Sequence, residues 1–133
     1  AMSRGVLVVV SGFSGAGKGT ICNEIRNIYP ELNYSISMTT RTARVGEEEG
    51  VSYFFRSKEE FERLIKEEAF LEYACVYGNY YGTPKAYVEE QMQAGKDVIL
   101  EIEIQGANQF CLKLISKVLC RLRKDILKVF LFI

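Results

Sequence analysis

An α/β fold, with a mainly parallel sheet flanked by helices, is what this sequence predicts, and three observations predict it. Apolar runs without polar alternation stand at Val6–Val10, at the start of Asp97–Ile104 and at Lys128–Ile133, the pattern of strands covered on both faces. Between them, apolar residues recur at helical spacing, as at Ile21, Ile25 and Ile28. The first run also passes through a glycine-rich loop straight into a helix, which is how a βαβ unit opens.

Taken in order, Val6–Val10 is β-branched and continuous, so it reads as a buried strand. The spacing of the three isoleucines predicts a helix over Lys18–Tyr29, ended by Pro30. Asn33–Ser37 reads as a short strand, residues 39–52 as a polar loop, and Tyr53–Arg56 as a short aromatic strand. Ser57 followed by Glu60 is a capping box that starts a helix through about Glu68, with Phe61, Leu64 and Ile65 on its apolar face. "FLEYACVYGNYYGTP" (70–84) predicts two strands meeting at Gly78-Asn79. A helix over Lys85–Ala94 stops at Gly95. Asp97–Ile104 is a strand that begins apolar and ends in alternating carboxylates. Ala107–Arg123 is a helix with a stripe of Phe110, Leu114, Ile115, Val118, Leu119 and Leu122, and Lys128–Ile133 is a last strand.

Composition narrows the classes of function. The 133 residues suffice for one core, and 48% hydrophobic with 26% charged residues is ordinary for a globular chain. Zero net charge argues against a nucleic-acid partner. No apolar run approaches the roughly 20 residues of a membrane helix, and no signal peptide stands at the N-terminus, so a cytoplasmic protein without a membrane partner is expected. Cys22, Cys75, Cys111 and Cys120 form no Cys-x-x-Cys pair and there is no histidine; reduced thiols are expected and a zinc site is not. Ala1 before Met2 reads as a cloning remnant.

The loop after the first strand carries the chemistry. Gly12, Phe13, Ser14, Gly15, Ala16, Gly17, Lys18, Gly19 and Thr20 match G-x-x-x-x-G-K between a strand and a helix. Absent side chains let peptide N–H groups wrap a polyphosphate, and the helix adds its positive end. Lys18 is a compact cation for the β- and γ-phosphate oxygens. Gly12, Ser14, Gly15, Ala16, Gly17, Lys18, Gly19 and Thr20 are therefore the expected ATP site. Gly19 stands where the motif has Ser or Thr, so the usual hydroxyl ligand for Mg²⁺ is missing and Thr20 is left to meet a phosphate. Mg²⁺ keeps several waters readily, so phosphate oxygens, water and one carboxylate are enough for it.

A second anion site is spelled in the middle of the chain. Arg41 and Arg44 lie three apart in a loop, with Tyr53 beyond, and Glu72, Tyr81 and Thr83 come after. Two guanidinium groups and two phenols suit a phosphate monoester. Any one of these groups alone reads as a solvated or packing residue; their arrival behind a phosphate loop gives them weight.

The segments "SGFSGAGKGT", "SMTTRTARVGEEEGVSYFF", "FLEYACVYGNYYGTP" and "GKDVILEIEIQGA" resemble guanylate kinase, from about Gly5 to Ala107 and again at "FLFI". The resemblance implies a P-loop NTPase core over 1–36 and 89–133 and a small inserted GMP-binding α/β subdomain over 37–88. It implies transfer of the ATP γ-phosphoryl group to GMP with Mg²⁺, with Lys18 and Arg41 as catalytic residues. By position, Arg41, Arg44, Tyr53 and Tyr81 would hold the GMP phosphate, while Ser37, Glu72 and Thr83 would read the guanine. Glu101 and Glu103 fall where the family has acidic residues, the first near the metal through water, the second near GMP. The second is usually Asp, so Glu103 is a departure.

The chemistry of guanine agrees. Its N1–H and amino group are adjacent donors that one carboxylate such as Glu72 accepts together, whereas adenine offers an acceptor at N1. Two other readings compete: a non-catalytic module of this family that binds GMP or phosphopeptides at the same site, and a P-loop kinase for another phosphorylated acceptor. An intact loop with Lys18 disfavours the first, and Glu72 with Ser37 disfavours the second. Family members continue past "FLFI" into an arginine-bearing lid, a strand and a helix, so a truncated chain of low turnover is expected, and "QFCLKLISKVLCRLRKDILK" (109–128) carries no recognisable part of the resemblance. Arg121 and Arg123 read as surface charge on a helical stripe rather than as substitute lid arginines.

Overall fold

The computed structural model describes residues 5–13, 15–104, 120 and 128–132, with the backbone alone for Phe13, Glu103, Ile104 and 128–132. The predicted helix over 107–123, with Arg121 and Arg123, lies outside the described residues, as do Ser14 and Cys111. Two compact units emerge: Ala1–Ser35 with Val88–Ile133, and Ile36–Tyr87.

The first unit is built on a four-stranded, wholly parallel sheet in the order β2-β7-β1-β8. Its strands are β1 (Leu7–Phe13), β2 (Asn33–Tyr34), β7 (Val98–Ile104) and β8 (Lys128–Phe132). Leu7, Val9, Val10, Val98, Ile99, Leu100 and Ile102 are buried, which is why these segments read as unbroken apolar runs. The first strand extends three residues past the predicted end, through Ser11, Gly12 and Phe13, because its pairing with β7 continues to Phe13↔Ile104.

Helix α1 (Lys18–Ile28) starts where predicted and ends with Tyr29 as its C-cap, before Pro30. Its buried face differs from the expected one. Ile21 is 37% and Ile28 65% exposed, whereas Lys18 and Cys22 are buried and Ile25 packs on Val10, Cys22 and Ile99. The stripe therefore runs 18–22–25 rather than 21–25–28. Lysine counts as polar in any periodicity, yet its aliphatic stem lies inside here because its ammonium finds a partner in the Gly12 carbonyl. Tyr34 ties the strand to this helix by donating its hydroxyl hydrogen to the Cys22 carbonyl at 2.6 Å.

The second unit holds a mixed sheet in the order β4-β3-β6-β5. Its strands are β3 (Met38–Thr39), β4 (Phe54–Phe55), β5 (Phe70–Val76) and β6 (Asn79–Pro84). Strand β3 begins at Met38, just past the strand predicted over Asn33–Ser37, and takes Thr39 from the predicted loop; two residues are too few for a periodic signal. Helix α2 (Lys58–Lys66) begins as predicted, with the Glu60 N–H donating to Ser57 Oγ at 3.1 Å. Its Phe61 stacks on Phe70 (centroids 4.4 Å) and on Tyr80 (5.0 Å), and Met38 completes the core. The β5–β6 turn is Tyr77-Gly78, one residue earlier than predicted, with φ of 49° and 79°. Helix α3 (Lys85–Gln93) places Val88 and Met92 in the first unit's core and gives way to Gly95 at φ 78°.

Candidate functional site

The glycine loop comes after β1 at the carboxyl end of the parallel sheet, where open α/β folds bind ligands. Gly15 and Gly17 take φ of 81° and 88°, which side-chain-bearing residues adopt only with strain. A Cβ on either would meet nothing within 4 Å, so backbone conformation, not space, demands glycine. Gly17 is the N-cap of α1 and no side chain caps that end; no acidic residue lies in the first turn. No carboxylate of the helix's own first turn offsets its positive end. Lys18, 3% exposed, donates from Nζ to the Gly12 carbonyl at 3.0 Å, folding back over the loop it closes. Gly19 and Thr20 are exposed.

The parallel register sets Glu101 opposite Val10 and Glu103 opposite Gly12, so both carboxylate-bearing positions stand on one face at the loop end of β7. Of Glu103 only the backbone is described. Glu101 is half-buried beside Cys22; burial pushes the Cys22 thiol up, and the Glu101 charge adds to that. Among the described residues no three His, Cys, Asp or Glu gather as a metal cage. Glu101 is the half-buried carboxylate at the loop end of β7 that could meet a hydrated Mg²⁺ through water.

In the second unit one sheet face collects Ser37, Glu72, Tyr81 and Thr83 from the predicted acceptor residues. Tyr81 and Thr83 alternate with Gly82, so they share a face while Gly82 turns to the aromatic core. A Cβ on Gly82 would stand 2.9 Å from Phe70 Cδ1 and 3.0 Å from Phe61 Cζ, so glycine is the residue that lets Tyr81 and Thr83 flank it. Phe70 and Glu72 would share a face in a regular strand. A bulge between them, with Phe70↔Pro84 but Glu72↔Thr83, swings Glu72 to the face of Thr83. Thr83 Oγ1 donates to Glu72 Oε1 at 2.6 Å. Burial raises the Glu72 carboxyl above its ordinary value, opposed by that hydrogen bond. Extending the β3–β6 register by one residue sets Ser37 opposite Thr83, so Glu72, Thr83 and Ser37 form a rank across three strands.

At the end of β3 two threonines anchor the loop that carries the arginines. Thr39 Oγ1 donates to the Tyr80 carbonyl at 2.9 Å and accepts the Arg41 N–H at 3.3 Å; Thr40 Oγ1 accepts the Tyr80 N–H at 2.9 Å. The Arg41 guanidinium lies 5.0 Å from the Tyr53 ring centroid, and Tyr53 meets Tyr81 edge-on at 6.3 Å. Arg41, Tyr53 and Tyr81 thus form one cluster, while the Arg44 side chain is exposed. Sequence reasoning passed over Glu47, whose carboxylate pairs with Arg41 through two contacts of 2.7 Å. An acid six residues beyond an arginine in a loop carries no periodic signal, though its place beside Arg41 and Arg44 is itself a cue.

The chain is similar to known proteins over most of its length. The guanylate kinase family profile matches residues 4–119. The chain is 62% identical over 108 residues to guanylate kinase of Carboxydothermus hydrogenoformans, covering 81% of this chain and 53% of that protein. It is 60% identical over 105 residues to guanylate kinase of Clostridium perfringens strain 13, covering 79% and 49%. The crystal structure of guanylate kinase from Anaplasma phagocytophilum superposes with a TM-score of 0.68 at 31% identity, over 98% of this chain and 61% of that one. The chain spans about half the length of the curated relatives it matches.

Proposed function

The chain belongs to the guanylate kinase family, and from that premise we propose that it serves transfer of the ATP γ-phosphoryl group to GMP, giving ADP and GDP, in the cytoplasm. The observation that carries the reading is the Glu72–Thr83 pair on the same sheet face as Tyr81. It is a donor-hungry carboxylate held in place beside a cluster of arginine and phenols. Guanine N1–H and its amino group supply the two donors that Glu72 seeks, Ser37 adds a hydroxyl to the same rank, and adenine would present an acceptor instead. Arg41, Arg44, Tyr53 and Tyr81 are assigned to the GMP phosphate.

The donor side rests on Gly12, Ser14, Gly15, Ala16, Gly17, Lys18, Gly19 and Thr20. Peptide N–H groups and the uncapped helix end hold the phosphates, and Lys18 exchanges the Gly12 carbonyl for a phosphate oxygen. Mg²⁺ would be held by Glu101 through water and would neutralise phosphate charge. Glu103 is assigned to the acceptor side. Phosphoryl transfer needs positioning and charge stabilisation more than covalent help, and Lys18 with Arg41 supplies both.

The test is a coupled assay of the chain with ATP, Mg²⁺ and each nucleoside monophosphate in turn, repeated with Lys18→Ala. GDP from GMP alone, lost in Lys18→Ala while GMP affinity stays within about threefold, is expected. GMP binding without turnover points to a binding module; no GMP binding overturns the reading.

A further inference from the structure

The loop between β3 and β4 places three successive glutamates, Glu47, Glu48 and Glu49, beside the arginines assigned to an acceptor phosphate. Unneutralised carboxylates there would repel that phosphate. Glu49 is neutralised from the β4 side: it accepts the Phe55 N–H at 2.8 Å and pairs with Arg56 at 2.5 Å. Glu47 instead engages the phosphate grip itself. Its Oε2 and Oε1 receive Arg41 Nη1 and Nη2, both at 2.7 Å, and Oε2 also receives the Arg44 N–H at 2.8 Å. The Glu47 N–H returns a bond to the Arg44 carbonyl at 3.0 Å. One carboxylate therefore fixes the guanidinium of one arginine and the main chain of the other.

We propose that Glu47 is a positioning residue for the acceptor-phosphate site, holding Arg41 over Tyr53 before the acceptor arrives. The inference rests on the acceptor reading given under the proposed function. An arginine fixed in advance loses less rotamer freedom when the phosphate binds, so affinity rises without any contact between Glu47 and ligand. A rival arrangement has Glu47 as a placeholder that the phosphate displaces. The main-chain bonds at both Arg44 and Glu47 oppose it, since they tether the carboxylate to its loop rather than leaving it to swing away. Hydrogen bonds from Arg41 and Arg44 also hold the Glu47 carboxyl down at about 2, so its charge persists.

The two arrangements predict opposite signs. GMP is titrated calorimetrically into the full chain, E47Q, R41A and R41A/E47Q, with ATP titrated in parallel. E47Q is expected to weaken GMP roughly tenfold and leave ATP unchanged, and the double variant to bind GMP no more weakly than R41A alone. That non-additivity is what a merely structural role would not produce. E47Q keeps the side-chain shape, and a melting curve confirms that it is folded. Unchanged or tighter GMP binding by E47Q, or additive losses in the double variant, overturns the proposal. A wild-type chain that ignores GMP sinks the acceptor reading and this inference together; one that binds GMP only as well as E47Q does sinks this inference alone.

Discussion

Thr83 and Glu72 face one another across β6 and β5, Oγ1 to Oε1 at 2.6 Å, because one extra residue in β5 turns Glu72 off the aromatic face. Without that bulge the carboxylate would share its side of the sheet with Phe70, against Phe61 and Gly82. The local irregularity, not the strand pattern, puts an acid beside Thr83 on the face that carries Tyr81.

Thr83→Val tests the pair directly. Valine keeps the shape and removes the donor from a side chain that is fully buried. A hydrogen bond to a charged partner contributes about 1.5–2 kcal/mol, so GMP affinity is expected to fall roughly 10- to 30-fold. Thr83→Ser, which restores the hydroxyl, is expected to stay within about threefold of wild type. Equal GMP titrations for Thr83→Val and wild type would remove the hydroxyl from the account.

Glu72→Gln separates stability from recognition. Burial raises the Glu72 carboxyl above its ordinary 4.5 in the folded chain. Its contribution to stability is therefore present in full below that value and is lost as pH rises through the raised one. As pH rises above 4.5, keeping the carboxyl folded in its buried place costs the fold progressively more. Glutamine carries no charge to desolvate and still accepts from Thr83. Glu72→Gln is expected to gain in melting midpoint over wild type as pH rises from 4.5, with the gain fading as pH falls back towards 4.5. GMP binding should fall at the same time, because the new amide N–H₂ faces the donors of guanine. Melting curves from pH 4.5 upwards decide it: a midpoint difference that does not grow with pH would show the carboxylate to be well solvated.

The range of the forces involved separates the features legible in the sequence from those it hid. β1, its glycine loop and the start of α1 rest on local chemistry, as do the Ser57 cap and the β5–β6 hairpin, and each stands within a few residues of its predicted place. The bulge before Glu72 is set by pairing with β6 and by the stack of Phe61 on Phe70, which no window of β5 contains. The buried face of α1 was hidden because Lys18 enters the interior to reach the Gly12 carbonyl. Ser37, Arg41, Tyr53, Glu72, Tyr81 and Thr83 are legible as residue types in a family pattern, though not their contacts. The pairing of Arg41 with Glu47 depends on how the fourteen-residue loop between β3 and β4 (residues 40–53) closes, which composition does not encode.

The hairpin that carries Tyr81 and Thr83 holds a side chain in the wrong conformation. Tyr77 occupies φ 49° beside Gly78 at φ 79°, the pairing of a two-residue turn that needs left-handed backbone at both positions. Tyrosine meets a steric penalty there that asparagine largely avoids. With 90% of its surface exposed, Tyr77 gives up little packing when replaced. Tyr77→Asn is therefore expected to stabilise the chain by about 0.5–1 kcal/mol, raising the melting midpoint by roughly 2–4 °C. Tyr77→Val, branched at Cβ, should lower the midpoint, since bulk at Cβ suffers most in this region. If both replacements move the midpoint the same way, the tyrosine ring rather than its backbone decides the stability of the turn, and the hairpin would have to be held by contacts beyond its two central residues.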